Sequence, residues 1–395
     1  MTPERAAELL ANSKPDAPKV IYDYRHGRDL TQISRGVFVI DADAFTAETL
    51  RDEHPAVYQH VLTTVKPERD QNREPYRKEN WWKFGRSNAS LRLALKNLPR
   101  FIATVETAKH RFFTFLDRSI GPDNMLVNIA VNDAQILGVL SSSIHVAWAL
   151  SACGRLGFGN DPRYNKTRCF ETFPFPDLPE ANPLKATIRD LGEQLDAHRK
   201  RQQAAHADLT LTGLYNVVEK LRREEPLTDK DRKIHDHALA AVLKQLHDKL
   251  DTAVLAAYGW SDLATKVPLA DRLARGDEVL EQAILTRLVA LNHERAAEET
   301  SGKIRWLRPE YQNPAGTTSA KPDQPELEVE TTAPVVTGKQ PWPKTLPDKV
   351  STLRSLLPTT GPDASALASH FGKRTKTRLT EITQILETLK DLGQL

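Results

Sequence analysis

A change of periodicity at Pro183 limits the folds open to this chain. Upstream of it, apolar residues come in short runs rich in Val, Ile, Phe and Tyr. These are VIYDY (20–24), GVFVID (36–41), FIATVET (101–107), HRFFTFL (110–116) and MLVNIAV (125–131), divided by Gly, Asn, Asp or Pro. Such punctuation predicts strands. Helical spacing interrupts them over 43–65 and 90–98, each stopping before a proline, and over 132–153 behind an Asn-Asp cap. Downstream of Pro183 the apolar residues recur at helical spacing with a charged opposite face, predicting helices over 183–206, 209–225, 228–258 and 277–299.

A chain of 395 residues exceeds one ordinary core. The expected architecture is a tail over 1–19, an α+β module over 20–182 and an all-α helical module over 183–311. A linker over 312–346 follows, dense in Pro, Thr, Ala and Gly and too poor in large apolar residues to bury a core. Three periodic pieces (348–357, 363–371 and 374–392) then predict a small three-helix, winged-helix-like unit over 347–395, with a structural cap as the alternative.

No apolar run approaches the roughly 20 residues needed to span a bilayer, and the N-terminus lacks a signal-type apolar core. A cytoplasmic location is expected, with Cys153 and Cys169 as small buried thiols in a reducing compartment. The net charge of +3 says little, but its distribution says more. Residues 66–118 hold 13 Lys/Arg against 6 Asp/Glu, interleaved with Tyr76, Trp81, Trp82 and phenylalanines. Cations mixed with aromatic rings suit a nucleic-acid surface as well as they suit a solvated face.

The stretch GNDPRYNKTRCFETFPFPD (159–177) invites a catalytic reading. An amino-methyltransferase needs a glycine-rich turn after a strand and an (Asp/Asn)-Pro-Pro-aromatic loop that holds the flipped base. The only glycine cluster, GRLGFGN (154–160), follows no β-branched run, and Arg163 stands where the loop needs proline. His235 and His237 lie two apart on a helix and face different sides, against a shared metal. No HExxH, Walker A or GxSxG motif is present. The chain is therefore expected to hold no catalytic, cofactor or metal site of its own.

Long strings support a family reading. WWKFGRS (81–87), LRLALKNLPRFIATVETAKHRFF (91–113), LGVLSSSIHVAWAL (137–150), GNDPRYNKTRCFETFPFP (159–176), LTLTGLYNVVEKLR (209–222), AAYGWSDL (256–263) and GKIRWLRPEYQNP (302–314) carry it. Over residues 20–314 the chain resembles the C-terminal half of Mme-type bacterial DNA methyltransferase and restriction–modification enzymes. The resemblance implies a double-stranded DNA target-recognition domain followed by a helical domain. It also implies that S-adenosylmethionine, adenine-N6 methylation and possibly a nuclease belong to another domain or subunit. A split gene or a truncated remnant is the expected origin of a chain without that half.

Under this reading Arg163, Lys166 and Arg168 neutralise phosphates, while Tyr164 and Asn165 offer hydrogen bonds, Asn suiting adenine in the major groove. Arg69, Arg73, Arg77 and Lys78, with Lys66, form an exposed loop near the phosphates. Lys83 and Arg86 lie in the same basic stretch. Lys109, His110 and Arg111 sit at a turn that could enter a groove. Phe173 and Phe175 pack an extended strap onto the domain, and one of Trp81 and Trp82 packs inward while the other stays free. Ser141, Ser142 and Ser143 serve close packing. The alternatives are a degenerate methyltransferase using Asp161-Pro162-Arg163-Tyr164 and a helical partner-binding scaffold.

Overall fold

A computed structural model describes residues 1–153, 155–156, 161–314, 342, 349, 352–353, 356–357, 360–371 and 376–391. The chain forms two compact units, Met1–Ser319 and Ala320–Leu395.

The first unit starts with helix α1 (Pro3–Leu10) inside the stretch read as a tail. Thr2 accepts a hydrogen bond from the Arg5 N–H, and Pro3 occupies the first turn, where its missing N–H costs nothing. Ala6 and Leu9 of this helix join Val20, Leu50, Val57 and Trp81 in one apolar cluster. Strand β1 (Ile21–Arg25), helix α2 (Gly27–Thr31) and strand β2 (Phe38–Ile40) follow. The helix expected over 43–65 is split into α3 (Ala47–Glu53) and α4 (Pro55–Thr64), because Pro55 cannot donate to the preceding turn. The basic run expected as a loop instead forms two single-turn helices, α5 (Lys66–Asp70) and α6 (Pro75–Glu79), ahead of α7 (Ala89–Leu95).

Strands β3 (Arg100–Val105), β4 (Thr114–Asp117), β5 (Ile120–Pro122) and β6 (Leu126–Ile129) complete two small sheets. One has the order β2-β1-β5, with β1 antiparallel to β2 and parallel to β5. The other is antiparallel, in the order β4-β3-β6. The strand expected over 110–116 begins only at Thr114, since the residues before it make an irregular turn. The helix expected over 132–153 is two, α8 (Ala134–Ser141) and α9 (Ser143–Ala152), bent by 63°. Ser142 sits at the bend as an N-cap, accepting from the His145 N–H, and Ser143 donates to Asp251. These serines are thus polar fixtures as well as small residues.

Two-residue strands β7 (Arg155–Leu156) and β8 (Asp161–Pro162) pair, and a single π-helical turn spans Lys166–Phe170. The helical part comprises α10 (Pro183–Ala205), α11 (Leu211–Arg223), α12 (Asp229–Ala238), α13 (Ala240–Ala257), α14 (Leu269–Ala274), α15 (Glu278–Thr300) and α16 (Pro309–Gln312). The expected 228–258 helix breaks at Leu239, which takes φ +47°. One apolar cluster runs from Leu30 to Leu288, across the 182/183 boundary drawn from the sequence. Helix α10 crosses α8 at two glycines: a Cβ on Gly192 would overlap the Ala134 carbonyl, and one on Gly138 would press on Ile188.

A buried polar chain ties α10 to the antiparallel sheet. Asp196 accepts from the Thr114 hydroxyl (2.7 Å) and the Phe115 N–H (3.2 Å), while Arg199, 1% exposed, donates to the Phe113 carbonyl (2.5 Å) and the Tyr215 hydroxyl (3.0 Å). Tyr215 in turn meets His247 (3.1 Å). Buried ions are tolerated only when paired and hydrogen-bonded in this way.

In the second unit, helices Ala364–Ser369 and Lys376–Asp391 enclose Leu353, Leu367, Phe371, Ile382 and Leu386. Trp342, placed in the linker by the sequence, stacks edge-on to Phe371 (4.7 Å) and donates to Glu381. The rest of the expected linker beyond Pro314, and half of the first of the three expected helices (348–357), lie outside the described residues.

Candidate nucleic-acid interface

The segment that opens the functional question docks against the end of β3. Arg163 bridges Thr107, the Tyr164 N–H donates to the Glu106 carbonyl (2.6 Å) and the Ala108 N–H reaches the Pro162 carbonyl (3.4 Å). Asn165 then caps the π-turn. Its Oδ1 accepts from the N–H groups of Thr167 (2.9 Å) and Arg168 (3.2 Å) and from the Thr167 hydroxyl (2.6 Å). Asparagine suits that position because its side-chain oxygen reaches two otherwise orphaned donors. This capping engages the same oxygen that a bidentate contact with adenine would use. Lys166 and Arg168, on the capped turn, are exposed and without a partner among the described residues.

Three other residues expected on the duplex face inward. Tyr164 is 1% exposed, packed edge-on to Phe113 (5.4 Å) and His145 (5.7 Å), with its hydroxyl 3.1 Å from His145 Nε2. A ring so enclosed cannot touch a nucleobase or a phosphate. Arg111 donates to the carbonyls of Val105, Glu106 (3.4 Å) and Pro162 (3.1 Å) and to the Thr104 hydroxyl (3.0 Å), and its guanidinium lies 5.0 Å from the Tyr164 ring. Burial pulls its pKa down to about 10, with the charge retained at neutral pH. His110, pushed toward its neutral form by burial, meets Asn216 Oδ1 (2.8 Å), as does Lys109 (2.6 Å). The 109–111 turn is therefore fastened to α11 and β3. Arg163 is half-exposed but held by Glu106 (2.5 Å).

The basic stretch before β3 divides differently. Arg69, Arg73, Lys78 and Arg86 make no ion pair or side-chain hydrogen bond among the described residues. Arg77 pairs with Glu74 (2.7 Å) and Lys66 with Asp70 (2.6 Å), and Lys83 stands over the Trp82 ring (5.7 Å). Exposed Tyr76, Phe84 and Leu93 lie along the same stretch. Trp82, expected to be free if Trp81 packed inward, donates to the Phe45 carbonyl (2.9 Å).

Residues 1–177 match the family model described as the target recognition domain of MmeI. Those residues are thus similar to a target recognition domain of the MmeI type. DNA methyltransferase A of Bacillus subtilis (strain 168) is 30% identical to this chain over 158 residues, covering 38% of the chain and 14% of that protein. A solved structure of the Type IIL restriction–modification enzyme MmeI in complex with DNA aligns with 19% identity and a TM-score of 0.49, over 72% of this chain and 34% of that one. The chain thus spans about a third or less of the relatives it matches.

The matched region includes α1 and ends just past the Phe-Pro-Phe-Pro strap, where Phe173 packs on His145 (4.6 Å) and Phe175 on Phe173 (5.0 Å). Every residue expected on the duplex falls inside it. The π-turn packs on the end of α9 and brings the Cα atoms of Cys153 and Cys169, expected as separate thiols, to 6.5 Å, a separation that a disulfide can bridge. Sequence reasoning also passed over Glu106, which holds Arg163, and His145, which meets Tyr164. No local signal marks either, because their partners lie 57 and 19 residues away.

Proposed function

We propose that this chain is the sequence-recognising part of a site-specific adenine-N6 DNA methyltransferase of a restriction–modification system. It holds double-stranded DNA, and a methyltransferase domain or subunit binds S-adenosylmethionine and receives the flipped adenine. A nuclease on the same assembly and a cytoplasmic location fit that role. The observation that carries the reading is the coincidence of a match to a target recognition domain with Arg69, Arg73, Lys78, Arg86, Lys166 and Arg168 inside it, whose side chains have no partner among the described residues. Unpaired cations are what phosphate contacts require; base readout is added by the few side chains that reach a groove.

The buried ring of Tyr164 argues against the degenerate methyltransferase, because the aromatic of such a loop must stack on the base. Selection from a random duplex pool, followed by shift assays across salt concentrations, tests the proposal. A recovered consensus and a steep fall of affinity with salt are expected. Binding that ignores both sequence and salt refutes it.

A further inference from the structure

We propose that Tyr164 and Arg111 are positioning residues for sequence readout: they set where Lys166 and Arg168 stand against the duplex. The inference rests on the recognition reading above and assigns to its interior the task of holding the reading segment in register.

Tyr164 acts as a depth gauge. His145 Nδ1 lies 2.8 Å from the Leu140 carbonyl, which can only accept, so that nitrogen carries the proton. Nε2 is then an acceptor, and the Tyr164 hydroxyl donates to it. Burial keeps His145 neutral, with its pKa lowered to about 3, so this polarity holds throughout the physiological range. A rigid ring with one hydroxyl at its end and one acceptor at the bottom of its pocket fixes how far the Tyr164 backbone stands from α9.

Arg111 fixes the other direction. Its planar fork spans the carbonyls of Val105, Glu106 and Pro162, and so bolts the reading segment to the end of β3 across the Thr107–Arg163 bridge. Lys166 begins the π-turn two residues after Tyr164, and Asn165 caps that turn. The placement of Lys166 and Arg168 is inherited through this short, capped path. Besides neutralising phosphates, Lys and Arg can pair with guanine O6 and N7 in the major groove; that base contact needs alignment to a fraction of an ångström, whereas phosphate attraction tolerates slack.

Tyr164→Phe and Arg111→Lys in the full chain test the proposal, with affinities measured for the duplex that the unaltered protein selects and for a scrambled duplex of equal length. The expected result is a roughly tenfold fall in the ratio of the two affinities. Affinity for the scrambled duplex and the salt slope should stay as they were, because every phosphate-facing cation remains. Tyr164→Phe keeps the ring, and its thermal midpoint verifies folding; Arg111→Lys is the independent second case. An unchanged ratio in folded variants, or an equal fall on both duplexes, overturns the proposal. Failure of the unaltered protein to prefer any duplex overturns the recognition reading itself, a result visible before any variant is made.

Discussion

Two sets of cations within residues 1–177 carry the same formal charge and meet different fates. Arg111 and Arg163, with Lys109, are satisfied by carbonyls, Glu106 and Asn216 around the β3–β4 turn. Arg69, Arg73, Lys78, Arg86, Lys166 and Arg168 have no protein partner among the described residues. A satisfied cation in a low-dielectric setting contributes order; a solvated one contributes field at long range. Charge counting along the sequence treats the two alike. The structure separates an inner set that shapes the reading segment from an outer set able to meet an anion.

The largest expected effect follows from removing the outer set. Alanine at all six positions should flatten the plot of log affinity against log salt by about 5, since each phosphate contact on duplex DNA contributes roughly 0.9 to that slope. The thermal midpoint should move little. Titration of a labelled duplex at several salt concentrations measures it, and a slope that persists would place the interface elsewhere.

Removing a deeply paired cation should do the opposite. Arg199→Ala takes the buried donor from the Phe113 carbonyl and the Tyr215 hydroxyl, while Asp196 keeps Lys200, Thr114 and the Phe115 N–H. Leaving a buried polar group unsatisfied costs about 1–3 kcal/mol. Denaturant unfolding should register that loss, with DNA affinity per folded molecule intact. A loss of affinity at unchanged stability would contradict the division into inner and outer sets.

Acid should probe the interior next. Burial lowers His145 to about 3 and His247 well below its usual value, so between those values and about 6.5 the unfolded chain binds protons that the native state refuses. Stability is therefore lost as pH falls below about 6.5, at up to about 1.4 kcal/mol per pH unit for each histidine. Asp251, raised to about 6 by burial, works the other way, because its native carboxyl takes up a proton before the unfolded one does. The net loss from these three groups between pH 7 and 5 should be on the order of 2–3 kcal/mol, and His110, also lowered by burial, adds to it. Arginine and lysine do not titrate there, so the salt slope of folded protein should stay flat with pH. Unfolding curves at pH 7, 6 and 5 measure the first part and shift assays the second.

Much of the scaffold was legible because it is written in local pattern. VIYDY and FIATVET became strands, and the helical spacing after Pro183 became helices. Strand β5 was missed because Ile120-Gly121-Pro122 has no run of strand formers; it exists only through pairing with Tyr24 and its neighbours almost a hundred residues earlier. The break before Pro55 was written in the sequence and was overrun by the apolar periodicity on both sides. At the candidate site, the sequence picks out two basic segments and cannot sort their cations. Whether Arg163 is free depends on Glu106, and whether Tyr164 faces water depends on His145. Both are tertiary facts with no local trace.

The smallest expected effect is also the sharpest test of that sorting. Glu106 holds Arg163 at 2.5 Å, with both side chains reaching solvent in part. An exposed pair of this kind contributes at most about 1 kcal/mol, so Glu106→Gln should leave stability nearly unchanged. It should transfer Arg163 from the inner set to the outer one, steepening the salt slope by up to about 0.9 if the freed guanidinium finds a phosphate. The backbone bond from the Tyr164 N–H to the Glu106 carbonyl survives the substitution, so the reading segment keeps its place. A gain in slope without a change in selected sequence would show that position 163 lies within reach of the duplex backbone. An unchanged slope would assign Arg163 wholly to the task of fastening residues 161–170 to β3.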